Sequence, residues 1–275
     1  MTPGIRLLSV LPCFVVPDVE ASVAYYREKL GFRDCGIFGE KPEQFGIIDR
    51  AEGQGFHFKS TASCGAASAT GSPARGRSNR ENPGIGGGGT IEAYLRIPDA
   101  DRLHADYVRR GAKIVQALAD RPWNQREFVV EDANGNLICF GADTTGKWPP
   151  DGFTTSPELV VADIPRTVAF YKDKLGFTRA STFFDPPAYA ILGRNGVNLH
   201  FSRATPGFAP RSNRPAADVW DAFVEVVGVE ALAKEFTARG VTLTRGPEST
   251  FYGSREIELA DPDGYHICFG ELLGD

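Results

Sequence analysis

The chain has 275 residues, 42% hydrophobic and 24% charged, with 30 Lys and Arg against 35 Asp and Glu for a formal net charge of −5. This balance fits an ordinary globular protein, and the length suggests two domains, which argues against a disordered or membrane-embedded chain. A mildly acidic chain also lacks the basic footprint that a phosphate backbone requires, so no nucleic-acid partner is expected.

The first apolar run, Leu7 to Val16, is broken by Pro12 and is too short to span a bilayer. It lacks the charged start and small-residue cleavage site of a signal peptide. Cys13, Cys35, Cys64, Cys139 and Cys268 form no CxxC pair, a pattern of reduced thiols that predicts a cytoplasmic protein with no membrane partner.

In chain order, a strand is predicted over Leu11–Val16. A helix follows, opened by Asp18 as N-cap, carrying Val19, Val23, Tyr26 and Leu30 at helical spacing, and stopped by Gly31. Strands follow near 45–49 and 55–59. Residues 60–89 are small, polar and glycine-rich, and predict a mobile surface loop that proteases nick first. Ile91, Ala93, Leu95 and Ile97 alternate with polar residues, as in a half-buried strand. A helix then runs from Asp99 to Gly111, and strands near 126–131 and 136–141 flank an Ala-Asn-Gly turn. After residues 143–155 the pattern repeats: a strand over Glu158–Val161, a helix from Asp163 to Gly176, strands near 188–192 and 197–202, and a last unit from Trp220 to Phe269.

The repeat extends to the letters. DVEASVAYYREKLGF at 18–32 matches DIPRTVAFYKDKLGF at 163–177, and DANGNLICFG at 132–141 matches DPDGYHICFG at 261–270. Arg126-Glu127-Phe128 matches Arg255-Glu256-Ile257, and Arg-Ser-Asn-Arg occurs at 77–80 and again at 211–214.

An Asp-opened helix with Tyr-Tyr or Phe-Tyr and then Leu-Gly-Phe, followed by an Asp-x-x-Gly hairpin before an apolar strand, resembles the vicinal oxygen chelate superfamily. That superfamily contains glyoxalase I, extradiol dioxygenases, fosfomycin-resistance enzymes and bleomycin-resistance proteins. The resemblance covers nearly the whole chain, twice, and PWNQREFVVEDANGNLICF at 122–140 is most similar to the bleomycin-resistance branch. It implies an α+β fold of tandem βαβββ units. The expected modules are 1–142 and 156–275, joined by linker 143–155, with curled mixed sheets around cavities.

Enzymes of the superfamily hold a divalent metal at four strand positions. The resemblance maps these to Leu11 and Ser156, His57 and His200, Glu92 and Asp221, and Cys139 and Cys268. Leu cannot ligate a metal and Ser is a poor neutral ligand, so no metal or other cofactor is expected. Glu92 and Asp221 face either a cavity or solvent. The thiols read as small hydrophobes beside a cavity. Tyr94, Phe223, Trp123, Arg126, Tyr252 and Arg255 complete the candidate ligand-binding set, because an aromatic group with Arg beside a cavity suits stacking on a flat ligand. Arg-Ser-Asn-Arg is either an entrance loop touching the ligand or a solvated turn.

The expected function is metal-independent binding of a small, partly aromatic molecule in two cavities. Two alternatives stay open: a metal-dependent lyase, isomerase or dioxygenase, and a cofactor-free enzyme using His57 or His200 as general base. The modules are expected to pair within the chain, as a monomer or weak homodimer, and to exchange half-sites: His57 with Asp221 and Cys268, His200 with Glu92 and Cys139. The unexchanged grouping is the competing geometry. Phe56 and Phe58 flank His57, and Leu199 and Phe201 flank His200, so strand alternation predicts that both imidazoles face the concave side and matter little for folding.

Overall fold

The computed structural model describes residues 4–51, 53–61, 79–83, 89–147 and 152–273. Four βαβββ units follow one another. The first comprises β1 (Arg6–Val16), α1 (Val19–Leu30), β2 (Arg33–Phe38), β3 (Phe45–Ala51) and β4 (Gln54–Ser60). The second comprises β5 (Ala93–Arg96), α2 (Ala100–Arg110), β6 (Lys113–Arg121), β7 (Gln125–Glu131) and β8 (Leu137–Asp143). The third has β9 (Thr154–Val161), α3 (Ile164–Ala169) running on as a π-helical turn, β10 (Arg179–Phe183), β11 (Tyr189–Arg194) and β12 (Val197–Arg203). The fourth has β13 (Ala222–Val227), α4 (Val229–Ala238), β14 (Leu243–Ser249), β15 (Ser254–Ala260) and β16 (His266–Leu272).

The side chains of Asp18, Asp99 and Asp163 each accept from the backbone N–H three residues on, at 2.9, 2.9 and 2.7 Å, satisfying a donor that the first helical turn leaves open. The last helix has Gly228 in that place, and the Glu271 carboxylate of β16 accepts the N–H groups of Gly228 and Val229 instead, at 2.9 and 3.0 Å. None of the described helices is long and apolar enough to cross a membrane.

The strands form two eight-stranded sheets, ordered β14-β15-β16-β13-β1-β4-β3-β2 and β10-β11-β12-β9-β5-β8-β7-β6. Each sheet therefore takes one unit from each half of the chain. The first joins units one and four through antiparallel β1 and β13, with Leu11 opposite Phe223. The second joins units two and three through antiparallel β5 and β9, with Tyr94 opposite Ser156. The units are thus paired in the exchanged way, one with four and two with three.

The apolar cores divide differently. One is built within the first half, from Phe14, Tyr26, Leu30, Phe56, Phe58, Leu95, Tyr107, Phe128 and Phe140 among others. The other lies within the second half, from Leu159, Tyr171, Phe201, Phe236, Phe269 and their neighbours, with Leu7 and Val10 reaching in from β1. Each half owns a core, whereas both halves share each sheet and each concave face.

The repeated motifs hold this arrangement. Tyr26 donates its hydroxyl to Asp132 at 2.9 Å, and Tyr171 donates to Asp261 at 3.2 Å. Each Asp also accepts two backbone N–H groups of its own hairpin. The helix of one unit is so tied to the hairpin of the next.

Edge strands β2, β6, β10 and β14 escaped the sequence reading because their residues are mostly exposed or half-buried and carry no apolar alternation. Residues 62–78 and 84–88, where most of the expected mobile loop lies and which include Arg77 and Ser78, fall outside the described residues.

Candidate ligand-binding faces of the two sheets

Phe56 and Phe58 go into the first core and Leu199 and Phe201 into the second, so His57 and His200 project from the opposite, concave faces. Both are buried, at 6% and 7% exposure, and loss of hydration lowers each pKa to about 3. Both imidazoles are therefore neutral near pH 7. Truncating either buried ring is expected to leave a void and so to cost stability as well as binding.

Around His57 the face is aromatic. Its ring centroid lies 5.1 Å from Phe45, 6.2 Å from Trp220 and 5.5 Å from Phe223. Trp220 lies 6.0 Å from Phe45 and 5.4 Å from Phe223, closing a four-ring box over Cys13, Ala217 and Val219. Nδ1 of His57 and Nε1 of Trp220 are both buried with no hydrogen-bond partner among the described residues. Beside the box, Glu256 accepts from Tyr252 Oη at 2.9 Å and Arg245 at 2.6 Å, while Glu258 accepts from Arg214 and from His266 Nδ1. Cys268 lies between them, its Sγ 3.6 Å from Glu256 and 3.6 Å from Arg245.

The face around His200 is polar. Its Nδ1 lies 2.7 Å from the Tyr189 hydroxyl, which is 3.4 Å from Glu158, and Ser202 donates to the same carboxylate. Tyr94 stacks on His200 at 5.4 Å and donates to Glu127 at 2.8 Å. Trp123 donates to that Glu127 oxygen at 2.9 Å. Burial pushes the thiols of Cys139 and Cys268 well above the ordinary range, so both are protonated and poor nucleophiles.

Glycine makes room for the central aromatic on each face. A Cβ on Gly270 would run into the Phe223 ring, and one on Gly141 into the Tyr94 hydroxyl. Gly270→Ala should displace Phe223 from the box at a stability loss of about 1–3 kcal/mol. The emission of Trp220 should shift with it; an unchanged spectrum would contradict this packing.

Several sequence-predicted residues lie elsewhere. Arg126 and Arg255 share the helix side with Phe128 and Ile257, and pair with Asp101 and Asp120 and with Glu230. They do not reach the concave faces. Their neighbours Glu127 and Glu256 do, and the same alternation could have shown it. Trp123 and Tyr252 sit half-exposed above those carboxylates.

Glu92 and Asp221 are fully buried and hold backbone N–H groups. Glu92 accepts the N–H of Asn79. Asp221 accepts those of Asn213 and His266, each at 2.8 Å, and the Ser212 hydroxyl at 2.7 Å. The Asn side chains then clamp the exchanged seams: Asn79 donates to the carbonyls of Ile91 and Glu158, Asn213 to those of Cys13 and Trp220. The described parts of both Arg-Ser-Asn-Arg segments are accordingly packed elements. Arg80 pairs with Glu131, and Arg214 with Asp218 and Glu258. Phe45, Trp220, Glu158 and Tyr189 were not singled out from sequence, because the strand register that brings them beside the histidines was not known.

The chain matches the Glyoxalase/Bleomycin resistance protein/Dioxygenase superfamily over residues 7–140 and 154–269. It belongs to that superfamily. It is 31% identical over 119 residues to a virulence protein of Salmonella typhimurium, covering 42% of this chain and 81% of that one. It is 29% identical over 128 residues to the bleomycin resistance protein of Geobacillus stearothermophilus, covering 42% of this chain and 95% of that one. The crystal structure of glyoxalase I from Zea mays superimposes with a TM-score of 0.67 over 98% of this chain and 92% of that chain, at 15% identity, a likeness of fold.

The residues present do not fit the divalent metal of the superfamily's enzymes. The first position is Leu11 or Ser156, and the carboxylates of Glu92 and Asp221 are turned to backbone N–H groups. Among the described residues no three His, Cys, Asp or Glu side chains converge on a metal-sized site.

Proposed function

We propose that this superfamily member binds a small, partly aromatic molecule on its concave faces without a metal. The observation that carries the reading is the four-ring box of Phe45, His57, Trp220 and Phe223, with two buried ring nitrogens left for a ligand. Aromatic walls with a few placed polar groups suit a flat ligand with hydrogen-bonding edges. The likeness to a bleomycin resistance protein supports the same reading and makes bleomycin the first probe. We place the protein in the cytoplasm, in keeping with the free thiols of Cys13, Cys35, Cys139 and Cys268.

The general-base alternative fares worse. A neutral imidazole whose pKa is lowered to about 3 is a weak base at pH 7.

Titration with metal-free bleomycin should quench Trp220. His57→Gln should weaken binding roughly ten-fold, the loss of about one net hydrogen bond. An affinity unchanged in His57→Gln, or no binding at all, would contradict this assignment.

A further inference from the structure

We infer that the face around His200 takes its ligand through an sp2 oxygen, which accepts a hydrogen bond from Nε2–H of His200, and that Tyr189 fixes the imidazole as this donor. The inference rests on reading the concave faces as ligand sites. It gives the second face a recognition chemistry that the first does not have.

The Tyr189 hydroxyl has a single hydrogen and two acceptors in reach, His200 Nδ1 at 2.7 Å and Glu158 at 3.4 Å. The shorter contact has the geometry of a good O–H···N bond, and the longer one is marginal. Burial raises the phenol well above its ordinary range, so Tyr189 keeps its proton. A neutral imidazole has one acceptor nitrogen and one donor nitrogen. With Nδ1 accepting from Tyr189, the proton resides on Nε2. Tyr94 stacks against the ring, with an interplanar angle of 28°, and holds its direction. The result is a fixed, uncharged donor.

The other face supplies the internal comparison. Ile47 lies opposite His57 and Ile191 opposite His200 in equivalent strand pairs. Two residues earlier stand Phe45 in one and Tyr189 in the other. The first face therefore lacks the hydroxyl at this position, and His57 Nδ1 is left without a partner among the described residues. One oxygen atom separates a fixed tautomer from an unfixed one.

The oxygen can come from an uncharged carbonyl or from a carboxylate. Glu127 and Glu158 disfavour an anion here, while Arg96 and Arg179 lie near enough to act on the His200 charge and favour one. Three matched probes separate these cases: acetophenone, benzoate and ethylbenzene.

The experiment is long-range 1H–15N NMR of the full chain labelled in histidine. In the free protein at pH 6, His200 should be the Nε2–H tautomer. Acetophenone or benzoate, whichever source applies, should shift the Nε2 resonance, and ethylbenzene should not. Tyr189→Phe should mix the tautomers and weaken the oxygen-bearing probe at least about three-fold. Phe45→Tyr should impose the same tautomer on His57. An Nδ1–H tautomer or an imidazolium at His200, or no preference for the oxygen-bearing probes, would overturn the inference. The long-range NMR signals of His57 under the same probes report the other face, so either reading can fail while the other stands.

Discussion

Asp221→Ala should lower the unfolding free energy by about 3–5 kcal/mol, because it strips buried N–H and O–H donors of their acceptor. The carboxylate is fully buried and takes the N–H of Asn213, the N–H of His266 and the Ser212 hydroxyl. Each orphaned donor costs roughly 1–3 kcal/mol. The damage reaches the binding face as well. Asn213 clamps the carbonyls of Cys13 and Trp220, so releasing its loop frees one wall of the four-ring box. Asp221→Asn, which keeps one acceptor oxygen, should lose less. Urea unfolding followed by far-UV circular dichroism reads both variants. A loss below about 1 kcal/mol for Asp221→Ala would mean that the loop does not hold the seam.

Acid should destabilise the fold through its two buried histidines. Folded values of about 3 lie below the ordinary 6.5, so between those limits the unfolded chain takes up protons that the folded chain refuses. The stability contributed by each is complete above pH 6.5 and is lost as pH falls toward 3. From pH 6.5 to 4.5 the loss is about 2–3 kcal/mol per histidine, at about 1.4 kcal/mol per unit. Asp261, pushed up to about 7 by burial, works in the opposite sense and adds stability as pH falls from 7 toward its ordinary value. The clean reading is therefore the difference between the wild type and the double variant His57→Gln, His200→Gln across that window. The acid-side slope should flatten in the variant. Equal slopes would show that both imidazoles protonate in the folded state.

What the sequence disclosed, and what it withheld, follows from the range over which each feature is determined. The Asp N-caps, the helix faces and the paired Tyr and Asp motifs are local or repeated, and they point to the fold by themselves. The polarity of β4 and β12 was equally plain, since apolar neighbours fix the direction of His57 and His200. The exposed edge strands gave no apolar signal. Arg126 and Glu127 are adjacent, and only their phase relative to Phe128 tells which one faces inward. Glu92 and Asp221 have the composition of metal ligands, and their role depends on loops more than a few residues away. The box itself joins β3, β4 and β13 across an exchanged seam, so Trp220 and Phe45 meet only in three dimensions.

The most direct test of metal-free binding is calorimetric titration of metal-free bleomycin into chelator-treated protein, repeated in the presence of zinc or nickel. Saturable binding is expected in chelator, with an affinity changed less than about two-fold by added metal. Binding that appears only after metal is restored would contradict it.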